Sequence, residues 1–165
     1  MKLRWLGFVA LGLGLLINLQ ACGFQLRGYS SLPDELTNLR LAADKLSTAR
    51  QRDLQSQLER AGATLRYDDE LGPVVLSVGL DTLPERKLVD STGSNQTILR
   101  LTRQLSYSLI DAGGNRLVEN QRLVQSQDLE LDDNNLLSSE GEKQHTLDKL
   151  DDALFNSLMI QLRRL

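Results

Sequence analysis

One cysteine, Cys22, and one histidine, His145, are all that 165 residues hold of the side chains that most often bind transition metals or act as nucleophile and base. That scarcity excludes Cys-His dyads, histidine-rich metal sites and a disulfide framework. Aromatic residues make up 4% of the chain, so no platform exists on which single-stranded bases would stack. No net positive charge compensates: without Lys2 and Arg4, seventeen basic side chains face twenty-two acidic ones. Nucleic acid is therefore not an expected partner. His145 reads as a solvated helix residue, and nothing near it resembles a nucleophile elbow. The doublets Asp68-Asp69, Asp132-Asp133 and Asp151-Asp152 are expected to mark turns or wet faces. Adjacent side chains point apart on strands and sit about 100° apart on helices, which is poor geometry for paired carboxylate catalysis. The chain is not expected to be an enzyme, and no metal or cofactor is expected.

The first residues differ from the rest. Lys2 and Arg4 form a basic start, Leu6 to Leu19 an uncharged stretch, and Leu19-Gln20-Ala21-Cys22 a boundary of mostly small or apolar residues. The stretch is short for a membrane span and has the layout of a secretion signal, here residues 1–21. The boundary resembles the lipobox of bacterial lipoproteins. That resemblance implies cleavage before Cys22, a diacylglycerol thioether on its sulfur and a third acyl chain on its new amino group. Two or more acyl chains hold a protein stably to a membrane, so Cys22 would tether everything that follows. Gly23 stands where, by resemblance to lipoprotein sorting, an aspartate would direct the protein to the inner membrane. The outer membrane is the expected destination.

Residues 22–165 suffice for one domain with a modest core. Phe24 to Tyr29 and Leu39 to Ala42 read as short strands either side of the turn-like Ser30 to Asp34. Leu54, Leu58 and Ala61 share a face of a helix over Thr48 to Ala61, with Ser47 to cap it and Gly62 to end it. Thr64 to Tyr67 is a brief strand, and Pro73 to Leu80 alternates with period two before Pro84 disrupts the ladder or forces a bulge. In Thr97 to Ile110, Leu99, Leu101, Leu105, Tyr107 and Leu109 line one face, and Arg100, Thr102, Gln104, Ser106 and Ser108 the other. Asp111 to Asn115 supplies a hairpin turn, and Arg116 to Leu131 returns as the partner strand. Glu140 to Leu165 closes the chain as a helix striped by Leu147, Leu150, Leu154, Leu158, Met159, Leu162 and Leu165.

These elements imply an α/β (α+β) two-layer sandwich. Two helices would pack on one face of a mixed, mostly antiparallel sheet of four to five strands, leaving the Ser-, Thr-, Gln- and Arg-rich face to a partner. Arg103 breaks the apolar face of its strand. It must lie beyond the edge of the helical cover, at a bulge, or against an acidic partner, and the first of these is the expectation.

Cys22-Gly23-Phe24-Gln25-Leu26-Arg27-Gly28 resembles the start of the LPS-assembly lipoprotein family, LptE, in which a Cys-Gly-aromatic-x-Leu-Arg run follows the signal. Leu32-Pro33, the Leu39-x-Leu41 strand, the helix ending at Gly62, the long hairpin and the leucine-striped last helix continue the likeness. The resemblance implies a plug within the outer-membrane β-barrel LptD that helps the barrel assemble and binds lipopolysaccharide on its way to the cell surface. Family members use basic residues near the central hairpin and before the last helix. This chain departs there, since Ser91-Thr92-Gly93-Ser94 and Leu136 to Ser139 carry no charge. Arg86, Lys87, Arg100, Arg103 and Lys143 are the remaining lipopolysaccharide-binding candidates, and Arg100→Ala or Arg103→Ala is expected to weaken binding without unfolding. Two other readings stand beside this one: an envelope lipoprotein that binds peptidoglycan or carries a lipid, and a tethered hydrolase built on the carboxylates.

Overall fold

Leucine spacing and turn chemistry account for most of the elements. The computed structural model describes residues 31–66, 74–90, 96–132 and 136–165. The expected signal, Cys22, the strand over Phe24 to Tyr29 and the Asp68-Asp69 doublet lie outside the described residues. A 3-10 turn over Asp34–Leu36 leads into β1 (Asn38–Ala42), α1 (Thr48–Arg60), β2 (Thr64–Leu65), β3 (Val74–Thr82), β4 (Arg86–Asp90), β5 (Gln96–Ile110), β6 (Arg116–Asp132) and α2 (Leu136–Leu162).

Helix α1 starts where expected. The Ser47 hydroxyl accepts a hydrogen bond from the Arg50 backbone N–H, satisfying one donor of the open first turn. Its end is set by Gly62, whose φ of +94° is strained for any residue with a Cβ. The β5–β6 turn is likewise built by side chains. Asp111 accepts from the Asn115 backbone N–H at 2.8 Å and from the Asn115 side-chain amide at 2.9 Å, while Gly114 takes a φ of +83°. These bonds, the amide's first, hold the Asp111 carboxyl below the usual carboxylate range.

Among the described residues the sheet is mixed and six-stranded, with β1 parallel to both β2 and β3 and the other pairings antiparallel. Strand β5 is its axis. One edge of β5 pairs with β6 from Gln96 to Ile110, and β3 and β4 follow each other end to end along the opposite edge. The six strands therefore fill five positions side by side, which reconciles the sheet with the expected four to five. Pro84 separates β3 from β4 because it lacks an N–H to continue the ladder. Leu83 makes the last bond before it, donating to the Thr102 carbonyl at 3.0 Å.

Both helices cover the same sheet face. Leu39, Leu76, Val78, Leu105, Tyr107 and Leu109 from the sheet share one buried cluster with Leu54 and Leu58 of α1 and Leu154, Phe155, Leu158 and Leu162 of α2. Each fully buried side chain of this size contributes about 1.5–3 kcal/mol relative to exposure. Helix α2 starts at Leu136, four residues before the expected Glu140, and ends at Leu162 rather than Leu165. The early start carries little signal because Ser139, buried in that first turn, is small and polar and does not extend the leucine stripe. Leu165 lies past the helix end and is exposed.

Arg103 overturns the expected placement at an uncovered edge. Its guanidinium lies under α2 and makes a two-pronged pair with Asp151, at 2.6 and 2.7 Å, and also donates to the Thr82 hydroxyl. Arg103 retains 17% side-chain exposure and Asp151 only 2%, so Asp151 marks a buried position and not the wet face expected of its doublet. A second guanidinium, Arg50 at the start of α1, approaches the same carboxylate at 3.3 Å and also binds Asp148 and Asp152. Burial alone would depress the Arg50 pKa, but the hydrogen bond to Asp148 and the charges of Asp151, Asp148 and Asp152 outweigh it and raise it above the ordinary value. One carboxylate thus ties α1 and α2 to β5.

Removing that carboxylate's charge strands the Arg103 guanidinium at a helix–sheet seam and takes from Arg50 one of its several acidic partners. Asp151→Asn is expected to cost about 3–5 kcal/mol in urea unfolding, the range for breaking a buried ion pair from one side. Gly62→Ala should cost on the order of 1 kcal/mol, from the αL strain alone.

Candidate functional site

The face turned away from the helices is polar, and it is concave in places. Across β3, β5 and β6 it presents Ser77, Thr102, Gln104, Ser106, Ser108, Arg100, Arg122, Ser126 and Asp128, as the pairing register requires. A shallow groove of about 380 Å³ is floored by Ser77, Gly79, Ser106 and Ser108 and bordered by Lys45 and Asn120. The chain passes close there, since a Cβ on Gly79 would stand 3.0 Å from the Ser106 hydroxyl.

The second concavity, open and about 600 Å³, sits at the break between β3 and β4. Leu83, Pro84, Glu85, Arg86, Lys87, Arg100 and Thr102 line it. The strand break creates this clustering. Thr82 pairs with Arg103 on the helix-covered face, and Arg86 pairs with Arg100 on the opposite one. Four residues of β3–β4 therefore span three residues of β5. The extra residue at Pro84 reverses the alternation and turns Arg86 outward beside Arg100.

Of the five expected ligand-binding residues, the structure brings Arg86, Lys87 and Arg100 together around this concavity. Lys143, on α2, reaches the same neighbourhood by pairing with Glu85 at 3.0 Å, which partly neutralises the only carboxylate among the described lining residues. Arg103 is on the other face, committed to Asp151. Arg103→Ala is therefore expected to destabilise the fold, contrary to the expectation from sequence, because that change leaves a buried carboxylate short of its main partner.

Sequence reasoning missed Asp128. The carboxylate lies across β5 from Arg86 and accepts two bonds from Arg100, from Nε at 2.7 Å and Nη2 at 2.8 Å. The hydrogen bond from Arg100, aided by its charge, holds Asp128 below the usual carboxylate range, and Arg100 is raised in turn by the same bond and charge. Only the register of the hairpin reveals this pair, since 28 residues separate its members. Lys45 was missed for the same reason: it reaches the groove from the β1–α1 loop.

Among the described residues no cluster of carboxylate, histidine or cysteine side chains forms a metal-ligating set. His145 is exposed on α2, and Asp151 and Asp152 are both engaged by arginines. What the concavity offers is forked cationic donors in an open, partly apolar hollow, which fits an anionic group attached to something larger.

Comparison of the fold places it among solved bacterial lipoproteins. An uncharacterised lipoprotein B from Nitrosomonas europaea superimposes with a TM-score of 0.66 at 19% identity, covering 86% of this chain and 90% of that one. A minor lipoprotein from Acinetobacter baumannii gives 0.60 at 18% identity, covering 78% of this chain and 94% of that one. Rare lipoprotein B from Shewanella oneidensis gives 0.58 at 13% identity, covering 76% and 92%. The chain has the rare lipoprotein B fold. At these identities the likeness concerns the fold. No family model matches the chain, and no curated protein matches it by sequence.

The Arg100–Asp128 pair makes a prediction in pH. A carboxylate whose folded pKa is depressed contributes stability above its unfolded value and loses it as pH falls through the folded value. In a carbon-detected NMR titration Asp128 should protonate at lower pH than an ordinary aspartate, and Arg100→Gln should move it back up. An Asp128 midpoint unchanged by that substitution would contradict the pairing.

Proposed function

We propose that this chain is an outer-membrane lipoprotein, acylated at Cys22, that assembles with and plugs an LptD-type β-barrel and binds lipopolysaccharide during its delivery to the cell surface. The reading joins three supports. The N-terminal segment has the lipobox layout and the LptE-like start, and the fold is shared with solved lipoproteins. The observation that carries most weight is the sidedness of the sheet: one face sealed by both helices, the other polar and concave, with Arg86, Lys87 and Arg100 around one hollow.

A barrel lumen is lined with polar side chains, so a small domain entering it needs a polar surface that remains soluble before docking. A leash at Cys22 would raise the local concentration of the domain at the membrane and favour capture by a barrel in the same leaflet. Lipopolysaccharide carries phosphates and acidic sugars, for which arginine forks are suited recognition groups. The protein chemistry required is binding and positioning, with no bond made or broken.

Purification of the full chain from native membranes in gentle detergent tests the reading. The expected result is co-purification of one large β-barrel protein together with lipopolysaccharide, and a Cys22 peptide heavier by its acyl groups in mass spectrometry. Recovery without a barrel partner, or an unmodified Cys22 on a protein free in the periplasm, would overturn it.

A further inference from the structure

We propose that Arg86 and Arg100 form a clamp for a phosphomonoester carried on a saccharide, and that Asp128 is the residue that positions it. The inference rests on the reading above and specifies which group of an anionic glycolipid is recognised and how.

Arg86 and Arg100 are direct cross-strand partners on an exposed sheet face. Like charges in that relation repel and destabilise a sheet. The repulsion is relieved on one side only. Arg100 is satisfied through Nε and Nη2 by Asp128, whereas Arg86 makes no ion pair or hydrogen bond among the described residues. An anion between the two guanidinium groups would relieve the rest.

The geometry also selects the anion. Asp128 grips one edge of the Arg100 fork, fixing the plane of that guanidinium and leaving its remaining N–H groups, including those on Nη1, available. Arg86 retains a complete fork. Arg86 and Arg100, cross-strand neighbours that line the same hollow, together carry more donors than the two oxygens of a carboxylate satisfy, while the three terminal oxygens of a phosphomonoester can accept from both. Lys87 adds a third cation to the lining, and Glu85, the one carboxylate among the described lining residues, is drawn towards Lys143. The surrounding hollow, open to solvent and about 600 Å³, has room for the sugar that bears the phosphate, with Leu83 and Pro84 as an apolar wall. Asp128 lies on the far side of Arg100, across the β5–β6 pairing, and so acts through Arg100 and not on the ligand.

Calorimetric titration of the full chain in detergent with glucosamine 1-phosphate, glucuronate and phosphatidylglycerol vesicles tests the clamp. Glucosamine 1-phosphate should bind at least about tenfold more tightly than glucuronate, and Arg86→Gln or Arg100→Gln should each cost about tenfold, the effect of losing a charge-assisted hydrogen bond. Asp128→Ala is the decisive variant. Deleting a negative charge near an anion site would by Coulomb attraction alone tighten binding, whereas loss of positioning weakens it. The expected result is severalfold weaker binding for Asp128→Ala and recovery with Asp128→Glu. Equal affinity for glucuronate, tighter binding in Asp128→Ala, or vesicles bound in preference to the sugar phosphate would overturn the proposal. If Arg86→Gln and Arg100→Gln leave capture of intact lipopolysaccharide unchanged, the clamp fails while the lipopolysaccharide-binding role stands. If the clamp binds the sugar phosphate but no barrel co-purifies, the role fails while the clamp stands.

Discussion

The carboxylate of Asp151, buried between the guanidinium groups of Arg103 and Arg50, is the constraint on which the architecture turns. Hydrophobic burial drives the helices onto the sheet, but leucine contacts alone tolerate sliding and rotation. A two-pronged arginine–carboxylate pair does not. Its forked geometry fixes α2 against β5, and the approach of Arg50 extends the same constraint to the start of α1. Such a pair adds little net stability over a well-packed apolar substitute, because desolvating the charges costs nearly what their attraction returns. Its contribution here is positional: it fixes where both helices sit.

Fixing both helices on one face determines what the other face can be. The inner surface is consumed by the shared core of leucines, while the outer surface keeps serines, threonines, glutamine and arginines along β3, β5 and β6. Pro84 then makes a local exception to strict alternation. By breaking the ladder and adding one residue, it brings Arg86 out to Arg100 and opens a cation-lined hollow beside the hairpin. The same segment thus joins an inward ion pair, Arg103 with Asp151, to which Thr82 adds a hydroxyl acceptor, to an outward pair of cations beyond the Pro84 break. Sealed and open faces are consequences of one strand's register.

The fold was largely legible in the sequence wherever period and turn chemistry agreed. Ser47 and Gly62 bounded α1, Asp111 to Asn115 marked the hairpin, and the alternating leucines of β5 announced the long strand. Strand β4 was not read from the sequence: Pro84 marked the disruption of the ladder, but its resumption over five residues shows only in the pairing with β5. The first turn of α2 was hidden by Ser139, a polar residue at a buried position. The site was legible as residue types and not as an arrangement. Arg86, Lys87 and Arg100 stood out as cations near the hairpin, but the partners of Arg100 and Arg103 lie on other elements and are visible only once strands pair and helices dock. Arg103 shows the cost of that limit: a charge on an apolar face signalled something unusual, and its resolution as a buried ion pair depended on a helix position 48 residues away.

A double-mutant cycle across Arg103 and Asp151, read by urea unfolding, tests the central claim most directly. If the two groups act as one positioning unit, Arg103→Met and Asp151→Leu are each strongly destabilising, while the double variant is more stable than the sum of the two losses by about 2–3 kcal/mol, as expected of coupled neighbours. Losses that simply add would show that the pair does not link helix to sheet and would contradict the account.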